Sequence, residues 1–411
     1  MAKPNLALIP ATIGDKVHSI LPNDGVGDFD FTRGSEATRI NAQGLIETVA
    51  SGENRLNYSL LDGEVVGCPH LLLEPQRTNL VTYSEDFSQW NLLSGGTGVN
   101  PVVTSDSTIS PDGTQNADKI VFNSGSGTTS GDSSQINNIV SVTSGTDATA
   151  SVYLKGENGG EELVFRGVAD GSYQKITLTT EWQRFSTTEN SGTTTDAITF
   201  GIRQNVSGLG VINSSATIYA WGGQVEVGSY PTSYIKTTSA AVTRVAETCN
   251  GSGNAATFND SEGVLMAEIS ALAETGRIAL NDGTANNNVR FSYDAGANRI
   301  DGIVFNGVNQ FVGQYTLPTQ GSFNKISLKY KPNDFALWVN GFKVDSLVGS
   351  GATFSEGTLS ELDFDAGNGL VPFYGNTKQI QYFDTTDIDL EQLTSWDSFR
   401  AMAEGQLYTI E

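Results

Sequence analysis

Short runs in which apolar and polar residues alternate fill most of this chain. In ASVYLKGEN, Val152 and Leu154 fall on one face of a predicted strand, whereas Tyr153 and Lys155 fall on the other. Such runs are rich in Val, Ile, Thr, Tyr and Phe, and clusters of Gly, Ser, Asn and Asp separate them. Because this pattern is typical of β-sandwiches, we predict an all-β protein.

The distribution of these runs predicts two tandem sandwiches after a less regular start. Residues 1–82 hold short apolar runs broken by prolines, so we expect an irregular segment that wraps around or plugs something larger and serves anchoring or assembly. Residues 83–245 and 246–411 each hold enough alternating runs for one sandwich, with a linker at 249–260. Within the second sandwich, FALWVNGFKVD predicts a hairpin whose type I′ turn is Asn340–Gly341.

A convincing helical pattern occurs near the end of the chain. Thr386 and Asp389 have the spacing of a capping box, and Gly405 is a natural stop. Between them, three apolar residues recur at helical spacing: Leu390, Leu393 and Trp396. We therefore predict a short helix over 387–404 that packs against the second sandwich.

Composition limits the functions that this fold can serve. The chain has 411 residues, and 46 Asp and Glu against 23 Lys and Arg give a formal net charge of −23. This balance argues against binding to nucleic acid, which requires a basic patch, and against adhesion to anionic membranes. No apolar run reaches the roughly 18 residues of a membrane span, and MAKPNLALIP lacks the order of a secretory signal. We expect neither nucleic-acid binding nor membrane insertion.

The sequence offers little to metal chemistry. Two histidines and two cysteines cannot build a zinc cluster, and the D-x-[DN]-x-[DN]-G calcium loop is absent. A structural calcium ion stays open, without an assigned position, and no other cofactor is predicted. For Cys68 and Cys249 we favour two buried thiols, while a disulfide between them stays open.

Catalytic groups are equally scarce. In ELDFDAG, Glu361, Asp363 and Asp365 alternate with apolar residues, and we interpret them as the solvated side of a strand rather than as the paired carboxylates of a glycosidase. His18 and His70 have no nucleophile-elbow motif nearby. We predict no catalytic residue and no enzymatic activity.

Three long motifs resemble a known family. DFDFTRGSEATRINAQGLIE followed by CPHLLLEPQRTNLVTYSEDFSQW resembles the N-terminal signature of tailed-phage virion surface proteins of the tail-fibre, appendage or head-fibre type. YAWGGQVEVGSYPTSYIKTTSAAVTRVAE is similar to the closing segment of their carbohydrate-binding-module-like jelly roll. The part from GVLMAEISAL to TKQIQYFDTTDIDLEQLTS resembles a concanavalin-A-like, laminin-G-type sandwich. Together these motifs span essentially the whole chain.

The resemblance implies a structural protein of the virion surface, made in the host cytoplasm. We expect a tail fibre or appendage that displays its sandwiches for adhesion to host surface polysaccharide. It would contact other virion proteins through residues 1–82 and form a homo-oligomer, which we predict to be a trimer. A head fibre or capsid decoration with a purely structural role is the first alternative, and a capsule depolymerase is the second.

Glycan binding in such sandwiches relies on aromatic rings that stack on sugars. Seven residues are candidates: Trp90, Tyr153, Tyr173, Trp182, Trp221, Tyr293 and Trp338. We select Trp90, in a predicted turn, Tyr173, in the loop-like ADGSYQ, and Trp338, next to the hairpin, as glycan-binding residues. Trp182 and Trp221 are expected to be structural.

Overall fold

Almost all regular structure in this protein is β, which confirms the predicted fold class. The computed structural model describes residues 3–10, 14–61, 63–167, 172–210 and 212–397. Within these residues, no helix has the length and apolar character needed to cross a membrane.

The strands are numbered in chain order. The first eight are β1 Leu6–Leu8, β2 Lys16–Val17, β3 Phe29–Thr32, β4 Ala37–Ile40, β5 Ile46–Val49, β6 Leu56–Leu61, β7 Glu64–Leu73 and β8 Arg77–Asn79. A 3₁₀ turn, Phe87–Gln89, precedes the next ten: β9 Asn91–Gly95, β10 Val99–Ile109, β11 Gln115–Asn123, β12 Ser133–Ser141, β13 Asp147–Gly156, β14 Glu162–Arg166, β15 Gln174–Thr177, β16 Gln183–Asn190, β17 Thr195–Arg203 and β18 Ser215–Val227. The remaining strands precede one short helix, α1 Leu390–Thr394, and are β19 Val242–Arg244, β20 Thr248–Asn250, β21 Gly263–Ala271, β22 Gly276–Asn281, β23 Asn287–Asp294, β24 Arg299–Asn306, β25 Val308–Thr316, β26 Asn324–Tyr330, β27 Asp334–Val339, β28 Phe342–Val348, β29 Glu361–Asp363 and β30 Gly375–Phe383.

The chain divides into two compact units. Unit 1 comprises residues 1–44, 49–75 and 245–411, and unit 2 comprises residues 45–48 and 76–244. The division at 244 lies one residue from the boundary at 245 that the sequence indicates. Residues 1–82, in contrast, are shared between the two units, because their strands pair with partners far along the chain.

Unit 1 contains an antiparallel sandwich. One sheet has the order β28-β27-β26-β21-β30-β7-β6, with β1 also paired to β30, and the other has the order β25-β24-β23-β22-β29. Alternate residues of both sheets bury their side chains in one core, among them Leu265, Leu328, Leu280, Val289 and Phe291.

Unit 2 contains a second antiparallel sandwich. Its sheets have the orders β10-β11-β18-β13-β16 and β15-β14-β17-β12-β9. Val152 and Leu154, the residues predicted to share a face, are fully buried in a core with Ile218, Ile136 and Phe200.

The N-terminal segment is more regular than its prolines suggest. Leu6 and Leu8 are fully buried, and Leu6 lies opposite Tyr382 in β30. Residues 249–260, expected to be a linker, are also integrated: Cys249 is fully buried and lies opposite Phe31 in β3. The surface that this segment wraps around is therefore provided by later residues of the same chain.

A cluster of four buried charges holds these distant segments together. The guanidinium of Arg55 donates to the carboxylates of Glu247 and Glu74, at 2.8 Å for the bond from Nη1 to Glu74 Oε2. Nη1 of Arg33 donates to Glu247 Oε1 at 2.7 Å. Arg33, Glu74 and Glu247 all lie inside the motifs that carry the family resemblance, so those motifs include residues that stabilise the fold.

The C-terminal helix begins later than predicted and is shorter within the described residues. Asp389 is its N-cap and accepts a bond from the backbone N–H of Gln392, whereas the hydroxyl of Thr386 donates to Glu262. Ser395 ends the helix in an extended conformation. Residues 398–404 of the predicted helix lie outside the described residues.

Candidate functional site

One sheet of unit 2 presents polar side chains on its outward face. In β12, Ile136 is fully buried whereas Ile139 is 59% exposed. Since side chains alternate along a strand, Gln135 and Asn137 share the outward face with Ile139. This face carries the groups described next.

The neighbouring strands add two arginines to the same face. Arg203 at the end of β17 lies opposite Ser133 in β12. Thr199 lies opposite Asn137 in β12 and opposite Arg166 in β14. Both arginines therefore project outward, and each is half-buried.

Tyr173 lies over this part of the sheet. Its ring centroid is 5.2 Å from Cζ of Arg166 and 5.6 Å from Cζ of Arg203, which is the range of cation–π contacts. Its hydroxyl accepts a bond from Nε2 of Gln135 at 3.3 Å. Gln135 is only 4% exposed although it faces outward. Tyr173 is therefore a half-buried, partly accessible ring on the outward side of the sheet.

Amide and apolar groups continue the surface. Nδ2 of Asn91 donates to Oδ1 of Asn137 at 3.0 Å, and both side chains are at least partly accessible. Leu93, which lies opposite Gln135, is 39% exposed. We define the Tyr173 face as the surface formed by Tyr173, Arg166, Arg203, Gln135 and Asn137. It combines an aromatic ring, cations and amides on a rigid sheet.

The arginines of the Tyr173 face were not selected from the sequence. Both occur at strand ends, in VFRG and GIRQN, and a strand end alone does not distinguish a binding arginine from a solvated one. Only the register, which brings Arg166 and Arg203 to one ring, identifies them.

Trp90 is a correction to the predicted site. It is 4% exposed, and its Nε1 donates to the backbone oxygen of Tyr83 at 3.0 Å. The 3₁₀ turn directs the ring inward, where it packs against Phe87 and Phe200. A ring in this position cannot stack on a sugar.

Trp338 points out of the main core of unit 1 but is covered by another element. It packs beside Leu390 and Leu393 of α1 and beside Ile388. Its indole is half-buried, because α1 covers part of the ring.

The other aromatic candidates divide between core and surface. Trp221 is 1% exposed, as expected of a core residue, and Tyr293 is 2% exposed. Trp182 is half-buried, with Nε1 donating to the backbone oxygen of Ile109 at 3.0 Å and Nζ of Lys155 lying 5.1 Å from its ring centroid. Tyr153 is also half-buried and packs edge-on against Trp221.

The acidic strand at 361–365 is not the solvated face that the sequence indicates. Asp363 is 4% exposed and Asp365 is 2% exposed. Asp363 accepts bonds from Asn281 Nδ2 at 2.8 Å and from the backbone N–H of Gly251 at 2.6 Å. Burial, followed by the carboxylates of Asp363 and Asp365, raises the pKa of Glu361. These hydrogen bonds explain how the chain tolerates buried acids here.

Neither thiols nor histidines form a reactive group in the described residues. Cys249 is buried and Cys68 is exposed, and both are free thiols, so the expectation of a buried Cys68 is wrong. Nδ1 of His18 lies 2.7 Å from Oδ2 of Asp28, and the hydroxyl of Ser19 bonds the same carboxylate rather than the imidazole. Among the described side chains, no group of three or more His, Cys, Asp or Glu is arranged to hold a metal ion.

A concavity of about 370 Å³ on unit 1 contains another aromatic residue. Trp396, read from the sequence as part of a helix face, lies beyond the end of α1 and contributes to its wall. Nζ of Lys325 lies 4.9 Å from the centroid of this ring and donates to the backbone oxygen of Ser395 at 3.2 Å. The early end of the helix, which the sequence did not indicate, places this half-buried indole in the wall of the concavity.

Comparisons with known proteins find only distant similarities. No protein-family model matches the chain, and no curated protein matches it. Among solved structures, the CBM40 module of the Ruminococcus gnavus IT-sialidase, bound to α2,3-sialyllactose, is 14% identical; the match covers 34% of this chain and 84% of that one, with a TM-score of 0.29. Domains LG4-5 of the mouse laminin α1 chain are 8% identical over 62% of this chain and 87% of that one, with a TM-score of 0.24.

A third similar structure extends along most of the molecule. The Trypanosoma rangeli sialidase is 11% identical, and the match covers 98% of this chain and 85% of that one, with a TM-score of 0.27. Similarity at this level carries no functional argument.

Proposed function

We propose that this chain is a non-enzymatic glycan-binding protein and that the Tyr173 face contacts the sugar. The observation that carries the proposal is the position of Tyr173, a partly accessible ring over the outward side of a β-sheet with hydrogen-bonding side chains around it. Sugars have apolar faces that stack on aromatic rings and hydroxyl rims that bond amides and guanidinium groups. The Tyr173 face supplies both kinds of contact.

Its rigidity supports the same proposal. Gln135, Asn137 and Arg203 are strand residues of one continuous ladder, so their positions are set by the backbone of the sheet. Groups that are held in place before a ligand arrives lose little conformational entropy on binding. A weakly binding face of this kind becomes effective when several copies act together.

We further propose that the protein belongs to a virion surface, as a tail fibre or appendage. The three motifs that resemble phage surface proteins support this location, and an acidic exterior favours solubility at high local concentration. Since much of the N-terminal segment is used inside unit 1, attachment to other virion proteins would fall to its exposed residues, such as Ile9 and Ile20. A trimer would present three Tyr173 faces.

Two other functions stay open to the same experiments. A head fibre or capsid decoration would need no sugar contact. A capsule depolymerase would need a reactive carboxylate pair, whereas Asp363 and Asp365 are held by hydrogen bonds from Asn281 and Asn250. Release of reducing ends from a host polysaccharide would support the depolymerase.

The proposal is tested by substituting Tyr173 in the full chain. Tyr173→Ala should weaken binding to an immobilised host polysaccharide by about tenfold or more, because the stacking surface is lost. Binding is measured with the protein coupled to beads, so that weak contacts are multiplied.

A matched control exists on the other sheet of unit 2. Tyr219 is also half-buried, with Nζ of Lys155 at 5.3 Å and Nζ of Lys119 at 5.9 Å from its ring centroid. Tyr219→Ala should leave binding unchanged. If Tyr219→Ala loses binding while Tyr173→Ala keeps it, the assignment of the site to the Tyr173 face is wrong. If the wild type binds no glycan at all, the proposed glycan-binding function is wrong.

A further inference from the structure

We infer that the ligand of the Tyr173 face is an acidic glycan whose carboxylate is bound by Arg166 and Arg203. This inference rests on the proposed function and specifies its ligand class. The cations converge on one ring from two different strands, β14 and β17, and both are half-buried. The sheet therefore assembles a positive site that neither strand provides alone.

The hydrogen-bonding state of the two guanidinium groups supports an external acceptor. Within the described part of the chain, neither Arg166 nor Arg203 forms an ion pair with a carboxylate. Their side-chain hydrogen bonds are long: 3.4 Å from Arg166 Nη2 to Thr199 Oγ1, and 3.5 Å from Arg203 Nη1 to the hydroxyl of Tyr173. Bonds of this length are weak, so most of the donor capacity of both groups stays available.

Two other arginines of the same protein bond carboxylates. Nε of Arg299 donates to Oδ1 of Asp301 at 2.6 Å, and Arg55 is enclosed by carboxylates. In the same sheet, Lys175 of β15 lies opposite Val164 in β14, and its Nζ is 2.5 Å from Oε1 of Glu162. A chain with twice as many acids as bases thus leaves two arginines beside a candidate sugar-stacking ring without such a partner among the described residues.

Electrostatics explains why these cations matter for an acidic sugar. A net charge of −23 repels an anionic ligand from most of the surface. Two guanidinium groups provide a local attraction, and their planar fork matches the two oxygens of a carboxylate. Partial burial lowers the dielectric constant around the two guanidinium groups and so strengthens their attraction to the carboxylate of a ligand. A sugar with one carboxylate per ring would gain this contact while its apolar face meets Tyr173.

The other sheet of unit 2 also places a cation near a tyrosine, but this cation is less suited to binding a carboxylate. Lys119 near Tyr219 is paired with Glu157, with Nζ 2.6 Å from Oε1. Lysine also presents a point charge rather than a fork. We therefore assign the carboxylate to the arginine pair and use Lys119 as a control.

The test compares acidic and neutral forms of the same sugar. Full-length protein is titrated with an oligogalacturonate, with the same oligosaccharide after chemical reduction of its carboxyl groups, and with a sialylated oligosaccharide. The wild type should bind at least one acidic form about tenfold more tightly than the reduced form, and the preference should decrease with added salt. The two acidic probes separate uronic from sialic acids.

Variants connect this preference to the two arginines. Arg166→Gln and Arg203→Gln should each reduce affinity for the acidic sugar by about tenfold or more, because each removes a charged hydrogen bond. Arg203→Lys should give an intermediate loss, and Lys119→Gln should have no effect. Thermal unfolding of each variant checks that the fold is retained.

The outcomes separate this inference from the proposed function. Two results would leave glycan binding in place and overturn the carboxylate assignment. In the first, Tyr173→Ala abolishes binding but the wild type prefers the carboxyl-reduced sugar. In the second, Tyr173→Ala abolishes binding but both glutamine variants still prefer the acidic sugar. Equal binding of a sulfated polysaccharide would also overturn this assignment, since any anion would then suffice. If none of the sugars binds to multivalent protein, both proposals fail.

Discussion

At the residue scale, burial decides what a side chain can do here. The sequence selected Trp90 and Tyr173 by similar arguments, because Trp90 is in a predicted turn and Tyr173 is in a predicted loop. The structure separates them, because the 3₁₀ turn at Phe87–Gln89 directs Trp90 into the core, whereas Tyr173 lies on the sheet. Residue type and local pattern do not encode that difference, since it depends on which strands surround the turn.

His70 provides a pH-dependent prediction at the same scale. Burial, with a smaller contribution from Lys378, lowers its pKa from 6.5 to about 3. The unfolded chain therefore takes up a proton below pH 6.5 that the folded protein does not bind until about pH 3. The free energy of unfolding should decrease as pH falls through this window, by up to about 1.4 kcal/mol per pH unit from this group.

Replacement of His70 isolates this effect. His70→Gln should flatten the decline in stability between pH 6.5 and about 3. Urea unfolding at several pH values measures the free energy of unfolding of each protein. An unchanged slope in His70→Gln would show that other groups cause the decline.

At the scale of elements, local signals succeeded where the partners are neighbours in sequence. The hairpin of β27 and β28 forms as predicted: Val339 lies opposite Phe342, and Asn340 and Gly341 have φ values of 51° and 86°. Two consecutive positive values are what a type I′ turn requires. The helix was predicted less well, since Asp389 rather than Thr386 caps it.

Because of this turn, a methyl group added at Gly341 should lower the stability of unit 1 more than one added at an ordinary glycine. Gly341→Ala should destabilise unit 1 by about 1–2 kcal/mol, because a Cβ is strained at this φ and would lie 2.8 Å from the hydroxyl of Ser395. Gly296→Ala is the control, since Gly296 lacks a positive φ and a Cβ there would meet its nearest neighbour at 3.5 Å. Equal urea midpoints for the two variants would contradict the assigned turn.

At the scale of the whole molecule, the architecture depends on pairs that are far apart in sequence. Alternation revealed that the chain is all-β, but it did not show that β1 pairs with β30 or that Arg33 bonds Glu247. Short strands alternate in the same way whichever partner they choose. The Tyr173 face was incomplete in the sequence for the same reason, because only strand register brings Arg166 and Arg203 together.

Glu247 tests how strongly the distant segments are joined. Glu247→Gln should destabilise unit 1 by about 3–5 kcal/mol, because it leaves the buried guanidinium groups of Arg33 and Arg55 without their shared carboxylate. A guanidinium group stays protonated in proteins, so Arg55 cannot become neutral to relieve the loss.

Glu262 is the surface counterpart for this experiment. It pairs with Lys331 at 2.8 Å, but both side chains are partly exposed. Glu262→Gln should therefore change the urea midpoint only slightly. If both variants unfold at the wild-type midpoint, the buried cluster does not stabilise the fold as its geometry indicates.

The pairing of β1 with β30 sets an order of events during synthesis. A ribosome releases Leu6–Leu8 long before Gly375–Phe383 exists, so the first strand emerges without its partner. Unit 2, built almost entirely from residues 76–244, can fold while the rest is still being translated. Until the last strand leaves the exit tunnel, the apolar N-terminal segment is exposed to aggregation or must be shielded by a chaperone.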